Sequence, residues 1–465
     1  MHRKVDAERL LKVGWARTSI TPEKPVQLLG QFFERVSECV RDPLTATALA
    51  VEGSGSAGDQ AIVISCDLAL IPKVVQESVR QQLADALPEF DERKLVLAAT
   101  HTHTAPALPG SLRYPQPPEG TMRVKEYVDV LSRRLAAVAT EAWLSRSTQF
   151  VQRAYGHAAV GFNRRVVYKD GSARMYGDTS RADFRCLEGG DDHGVEMAVF
   201  RHPDKRPSGV LVNVACPSQV VESHRFISAD FWAETRARLS ALHGQEFHVL
   251  PLCGAAGDQS PRDLVRRGRA EPNMRSEAGL QELGRRLAAV VGDALEETCA
   301  REPEDHPVFR HRVTDIDLPL RRATDTELAE GERVLAELQA QNPDPGTSAW
   351  GKAQHWSRIL EDYRARRAGD VYSCEVHAVR LGDMALVTNP FELYLDYGCR
   401  MKAWSPAEQT AIVQLAGDVG NYLPTQKAVN GGGYGAMICN GHVGPEGGEI
   451  LVERSLTLLA ALWKD

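Results

Sequence analysis

The chain has no CxxC pair, and its nine cysteines are scattered singly along 465 residues. An odd, dispersed set of this kind fits a reducing cytoplasm better than a disulfide framework. An apolar run long enough to cross a bilayer is also missing, so no membrane span is expected. The opening Met1-His-Arg-Lys-Val-Asp is charged and lacks the apolar core of a secretory signal. A cytoplasmic location is the expectation. Basic excess is absent as well: the formal charge is -7, which argues against a nucleic-acid partner and leaves a small-molecule substrate.

What is present is an ordinary globular composition, 43% hydrophobic and 25% charged. At this length one core usually stops growing, so either two subdomains or one large layered domain is expected. No repeat, low-complexity tract or long linker forces a boundary, so 1–465 reads as a single catalytic domain.

Apolar runs at Ala61–Cys66, Lys94–Ala99, Gly209–Ala215, Glu246–Leu252 and Met384–Asn389 read as buried strands. Between them, Val74–Ala86, Val124–Leu144, Phe231–Leu242 and Glu277–Cys299 have helical periodicity, and Ile450–Trp463 reads as a last helix. The alternation predicts an α/β fold, a large layered domain of mixed sheets flanked by helices. Asp325–Arg367, rich in Glu, Arg, Ala and Gln and broken at Asn342-Pro-Asp-Pro-Gly346, predicts a helical hairpin inserted at about 323–368 with a solvated charged face.

The chemistry-bearing segment is Thr100-His-Thr-His-Thr104 at the end of the run Lys94–Ala99. If the strand continues, His101 and His103 point the same way, because side chains alternate with period two. Ala105-Pro-Ala-Leu-Pro-Gly110 ends it, which places both imidazoles at a strand-to-loop edge. There they suit metal ligation, or ligation plus proton transfer. A histidine capping a turn beside one facing solvent is the plain alternative.

Further loops carry similar sets. Cys253-Gly-Ala-Ala-Gly-Asp-Gln-Ser-Pro-Arg262 follows a strand with flexible glycines, Asp258 and Ser260, but has no G-x-S-x-G elbow. Cys216-Pro-Ser-Gln-Val-Val-Glu-Ser-His224 puts a thiol, an acid and an imidazole within nine residues. In Asn389-Pro-Phe-Glu392-Leu-Tyr the acid begins a predicted helix Glu392–Trp404, where the helix dipole favours it. Asn421-Tyr-Leu-Pro-Thr425 and the glycines at 431–433 with Tyr434 complete the set. Tyr114-Pro-Gln-Pro-Pro-Glu-Gly120 is a candidate pocket wall or a plain surface loop.

In this order the loops resemble the neutral ceramidase family of zinc-dependent amidases. The resemblance runs from Val13-Gly-Trp-Ala-Arg-Thr-Ser-Ile-Thr-Pro22 through Thr100-His-Thr-His-Thr104 and Gly257-Asp-Gln-Ser-Pro261 to Asn421-Tyr-Leu-Pro-Thr425. It implies one zinc ion held by His101, Glu392, Tyr422 and a second histidine. At that last position this chain has Cys216 followed by Pro217. Three readings stay open: Cys216 ligates as a thiolate, His224 folds back to replace it, or zinc binding is weakened or lost. By the same resemblance His103, Ser260, Arg164 and Tyr434 match catalytic or pocket positions, with Asp258 in the Ser260 loop. Ceramidases of the family carry a C-terminal β-domain; this chain ends soon after Gly441-His-Val-Gly-Pro-Glu446, so none is expected.

The implied function is metal-assisted hydrolysis of an amide (N-acyl) bond in a small substrate, not necessarily a sphingolipid. A bound zinc would lower the pKa of water to about 7 and supply hydroxide. Two alternatives remain: glycoside or ester hydrolysis using Asp258 or Glu222, and a non-catalytic binding protein that has lost a ligand at 216.

Overall fold

The computed structural model describes residues 10–53, 59–110, 117–266, 274–302 and 307–464. Among these residues the larger sheet has eight strands. In spatial order these are His248–Cys253, Pro207–Val214, Gly194–Arg201, Ser147–His157, Leu11–Ser19, Thr45–Glu52, Gln60–Cys66 and Leu95–Ala99. It is mixed, with parallel pairs at its two edges and antiparallel pairs between them. A second sheet contains Phe309–Pro319, Val371–Leu381, Met384–Thr388 and Gln409–Val413.

Both faces of these strands are covered, which is why they read as apolar runs rather than as a clean alternation. In Gln60–Cys66, Ile62, Ile64 and Cys66 join the core beneath the helices Lys73–Ala86 and Val124–Leu144. Ala61 and Val63 point the other way, into a core shared with Leu250, Leu252, Leu386 and Val413. The eight-stranded sheet therefore curls so that both of its halves and the second sheet enclose one apolar centre. The Ser65 hydroxyl donates to the Pro251 carbonyl across it. Helices Phe231–His243 and Glu277–Ala300 back the other half of the large sheet, and Leu395–Trp404 and Pro445–Ala461 back the small one. This is the expected α/β architecture of mixed sheets flanked by helices.

The charged hairpin is present as helices Asp325–Ala340 and Ser348–Ala365. Its first helix opens with a capping box, Thr324 accepting from Glu327 N–H while the Glu327 carboxylate accepts from Thr324 N–H, two otherwise orphaned donors satisfied together. The inner face, with Trp356, Ile359 and Leu360, packs on Ile438 and Cys439, so the hairpin is anchored beside the last loops of the chain.

Where the two sheets meet, an unanticipated polar cluster is buried. His311 Nδ1 donates to the Gln60 carbonyl at 2.9 Å, and its Nε2 meets His377 Nδ1 at 3.0 Å. His377 Nε2 lies 2.9 Å from Glu375, whose carboxylate also accepts from Arg80 at 2.6 Å and Gln76 at 3.1 Å. Every ring nitrogen of the pair has a partner. Among the described residues no helix is long and apolar enough to cross a membrane.

Candidate active site

The strand Leu95–Ala99 stops at Ala99, and His101 takes a left-handed backbone, φ 67°. The expectation that an extended chain aims His101 and His103 alike is thus corrected in its cause. A kink brings the two rings together, edge to face at 4.8 Å. His101 Nδ1 lies 2.6 Å from the Ala69 carbonyl, and since a carbonyl only accepts, Nδ1 carries the proton. Nε2 is left 3.2 Å from Glu392 Oε2.

Glu392 does not open a helix. It lies on the short strand Phe391–Leu393, paired in parallel with Asn421–Leu423 so that Glu392 stands opposite Tyr422, and the helix begins only at Leu395. This register, fixed between segments 30 residues apart, carries both side chains to one place. Gly257 makes the approach possible, because a Cβ there would sit 2.3 Å from the Glu392 carbonyl oxygen.

Arg164, 3% exposed, is the hub of the site. It donates to the Gly257 carbonyl at 2.9 Å, the Tyr422 hydroxyl at 3.2 Å, the Tyr176 hydroxyl at 3.3 Å and Gln219 Oε1 at 3.2 Å. The last bond orients an amide that sequence reasoning missed: with Oε1 accepting from arginine, Gln219 Nε2 must donate, and it meets His103 Nε2 at 2.8 Å. His103 therefore presents an accepting Nε2 to Gln219, while its Nδ1 stands 3.6 Å from Glu222, itself paired with Arg262. A buried glutamine three residues beyond Cys216, in the loop already singled out, was the available signal.

The electrostatics divide the roles. Burial pushes the His103 imidazolium well down and the neighbouring His101, Arg35 and Arg164 add to this, so the ring is neutral. Burial alone would raise the Glu392 carboxyl, but the His101 ring, Arg164 and Tyr422 outweigh it and hold the group below its ordinary range. Tyr422 is pushed up, by burial first and Glu392 second, and Tyr434 likewise. Both remain phenols. Arg164 stays firmly protonated because Tyr422, Tyr176 and Glu392 more than offset its desolvation.

His101, His103, Glu392, Tyr422 and Tyr434 line a cavity of about 160 Å³, with Arg164 behind Tyr422. Tyr434 packs edge-on against Tyr422 at 5.7 Å. The other candidates are placed elsewhere. The Cys216 thiol donates to the Val160 carbonyl at 3.1 Å and is pushed well up, by burial above all. His224 is exposed and stacks on Phe226 at 4.8 Å, so it does not fold back. Ser260 Oγ accepts from Arg262 N–H at 3.1 Å. Both Asp258 oxygens are engaged, one by Leu395 N–H at 2.9 Å and one by Asn163 at 3.0 Å, so this acid braces loops rather than facing the cavity. Residues 114–116 of the candidate wall loop lie outside the described residues.

These placements decide whether the residues fit a zinc ion. A proton or a cation must stand between His101 Nε2 and Glu392, since two bare acceptors would otherwise face each other, and the Tyr422 hydroxyl joins them. The fourth donor is not delivered, and among the described residues no group of three or more His, Cys, Asp or Glu side chains is arranged to hold a metal. The donor set present does not complete the four-ligand shell.

No family model matches the chain, and no curated protein matches it. Solved structures do. Neutral ceramidase from Pseudomonas aeruginosa superposes with a TM-score of 0.71 at 15% identity, over 97% of this chain and 74% of that one. A ceramidase complexed with C2 gives 0.73 at 16% identity, over 97% and 75%. At such identities the likeness is one of fold.

Proposed function

We propose that the cavity hydrolyses the amide bond of a small N-acyl substrate. The observation that carries this reading is the convergence of Glu392, His101 and Tyr422, from segments far apart in sequence, on one cavity, with Arg164 bonded behind Tyr422. The ceramidases of similar fold support the bond type. The volume supports a small substrate, because pockets for drug-sized ligands span about 300–1,000 Å³.

Because the zinc shell is incomplete, the chemistry rests on the side chains. Glu392, held ionised beside His101, takes a proton from water as the water oxygen adds to the amide carbon. The oxygen of the tetrahedral adduct accepts from the phenol of Tyr434, while Tyr422, which gives its one proton to the Glu392 carboxylate and accepts from Arg164, holds the base in place. A preorganised donor of this kind contributes about 3 kcal/mol. The C–N bond then breaks as Glu392 returns its proton to the leaving nitrogen. His103, neutral and bonded to Gln219, keeps the His101 ring in place. The glycoside alternative loses Asp258, whose oxygens are both committed.

The test is a panel of N-acyl amides, esters and oligosaccharides offered to the wild type and to Glu392→Gln. Amide turnover that falls by about 100-fold or more in the variant is expected. Turnover confined to esters or sugars, binding without turnover, or an undiminished variant would overturn the reading.

A further inference from the structure

The cavity mouth holds polar groups that this chemistry leaves unused. Arg358, on the second helix of the hairpin, is exposed and lines the cavity. No hydrogen bond or ion pair engages its guanidinium among the described residues. One turn earlier His355 lies on the same helix face, since positions three apart are neighbours there. Its Nε2 donates to the Cys439 carbonyl at 2.6 Å, so its Nδ1 is a lone pair, and that atom is buried without a partner. Burial pushes this imidazole down to about 4, and Arg358 adds to the effect, so the lone pair persists at neutral pH. Asn440, 5% exposed, lines the same cavity, and its Nδ2 donor is also buried and unpartnered.

Buried polar groups are satisfied in native proteins as a rule, and each exception needs an explanation. Here three unpartnered groups belong to residues that line one cavity, two donors and one acceptor, where the hairpin meets the turn Ile438–Asn440. A guanidinium with an amide donor matches the two oxygens of a carboxylate. Glu392 on the floor repels such a group, so a carboxylate-bearing ligand is oriented with its anion at the rim and its neutral amide toward Glu392, Tyr422 and Arg164.

Building on the amide-hydrolase reading, we propose that the substrate is a small amide carrying a free carboxylate, of the N-acyl amino acid kind, anchored through Arg358 and Asn440 Nδ2. His355 Nδ1 accepts a polar hydrogen of the same ligand. Water addition then releases a carboxylic acid and a free amino acid. The hairpin is the element that sets specificity.

The experiment compares N-acyl leucines, from acetyl to octanoyl, with the matching N-acyl isopentylamines, which differ only in lacking the carboxylate. Wild type, Arg358→Gln, Arg358→Lys and Asn440→Ala are assayed for kcat and KM, and binding of the acyl leucines is read by thermal shift. We expect kcat/KM to favour the carboxylate series by about tenfold or more. Arg358→Gln closes most of the gap by raising KM, and Arg358→Lys restores part of it. Equal turnover of both series, indifferent to Arg358, overturns the carboxylate anchor and leaves amide hydrolysis standing. Absence of turnover with every amide overturns the hydrolase reading. In that case a thermal shift from acyl leucines that vanishes in Arg358→Gln upholds the anchor, and no shift in the wild type overturns it.

Discussion

Among the described residues two histidine pairs are in ring contact, His101–His103 at the cavity and His311–His377 where the sheets meet, and they differ in what surrounds them. Both rings of the inner pair are closed off by Gln60, each other and Glu375. At the cavity pair, His103 Nδ1 stands 3.6 Å from Glu222, too far for a hydrogen bond to it, and His101 Nε2 faces a carboxylate across a gap that a proton or cation must fill. Burial and residue type do not separate a structural imidazole from a reactive one. Closure of the hydrogen-bond network does, because an unmade bond is both a cost to the fold and an opening for a ligand.

The two pairs should part most widely when each loses its acid. Glu375→Ala strips a partner from His377, Arg80 and Gln76 together. Breaking a buried ion pair on one side costs about 3–5 kcal/mol, to be read as a fall in the denaturation midpoint. Glu392→Gln should do the reverse, with stability within about 1 kcal/mol of wild type and the loss confined to turnover. Equal stability losses in both variants would erase the distinction.

Acid should find the inner pair next. Burial first, then His377, pushes His311 well below its ordinary 6.5, so the unfolded chain binds a proton that the folded protein refuses. More protons on the unfolded side means stability rises with pH, so it is full above about 6.5 and declines as pH falls below that. Glu375 adds a second loss of the same sign. Burial pushes its carboxyl up, but bonds from His377 and Arg80 hold it well below 4.5, and its contribution disappears as pH drops through the acid range under that value. Unfolding free energy measured from pH 7.5 to 4 should fall by roughly 1–2 kcal/mol, a decline that His311→Gln flattens between 6.5 and 5. A wild-type profile flat over that range would count against the closed network.

What the sequence disclosed depended on how local the cause was. Val124–Leu144 came out residue for residue, and the strand at 95–99 and the hairpin within a few positions, because periodicity and caps are written in neighbouring residues. Long strands such as Phe309–Pro319 and Val371–Leu381 alternate polar and apolar residues, and a search for unbroken apolar runs passes over them. The sequence puts Glu392 at a helix start because the pairing that makes it a strand lies with Asn421–Leu423. The residues of the cavity were legible as motifs, His101 and Tyr422 among them. That Gln219 orients His103, or that Arg358 lacks a partner, is a property of three-dimensional pairing that no local pattern records.

The smallest expected change acts on the open pair itself. Cys216 is a buried, neutral thiol bonded to the Val160 carbonyl, in a loop whose Ser218 donates to the Thr100 carbonyl beside His101. Cys216→His therefore offers a third imidazole from the loop that is bonded to the chain beside His101. The larger side chain must fit near Gly161, whose own Cβ would already lie 2.2 Å from the Ala215 carbonyl oxygen, so a cost of about 1 kcal/mol is expected. In return it supplies the donor that the shell lacks. Purified wild type should carry well under one zinc per chain, and Cys216→His dialysed against zinc should approach one, with a zinc-dependent rise in melting temperature. Stoichiometric zinc in the wild type would mean that three donors suffice. If the histidine variant stays empty, the obstacle lies in His101 and Glu392, already committed to each other.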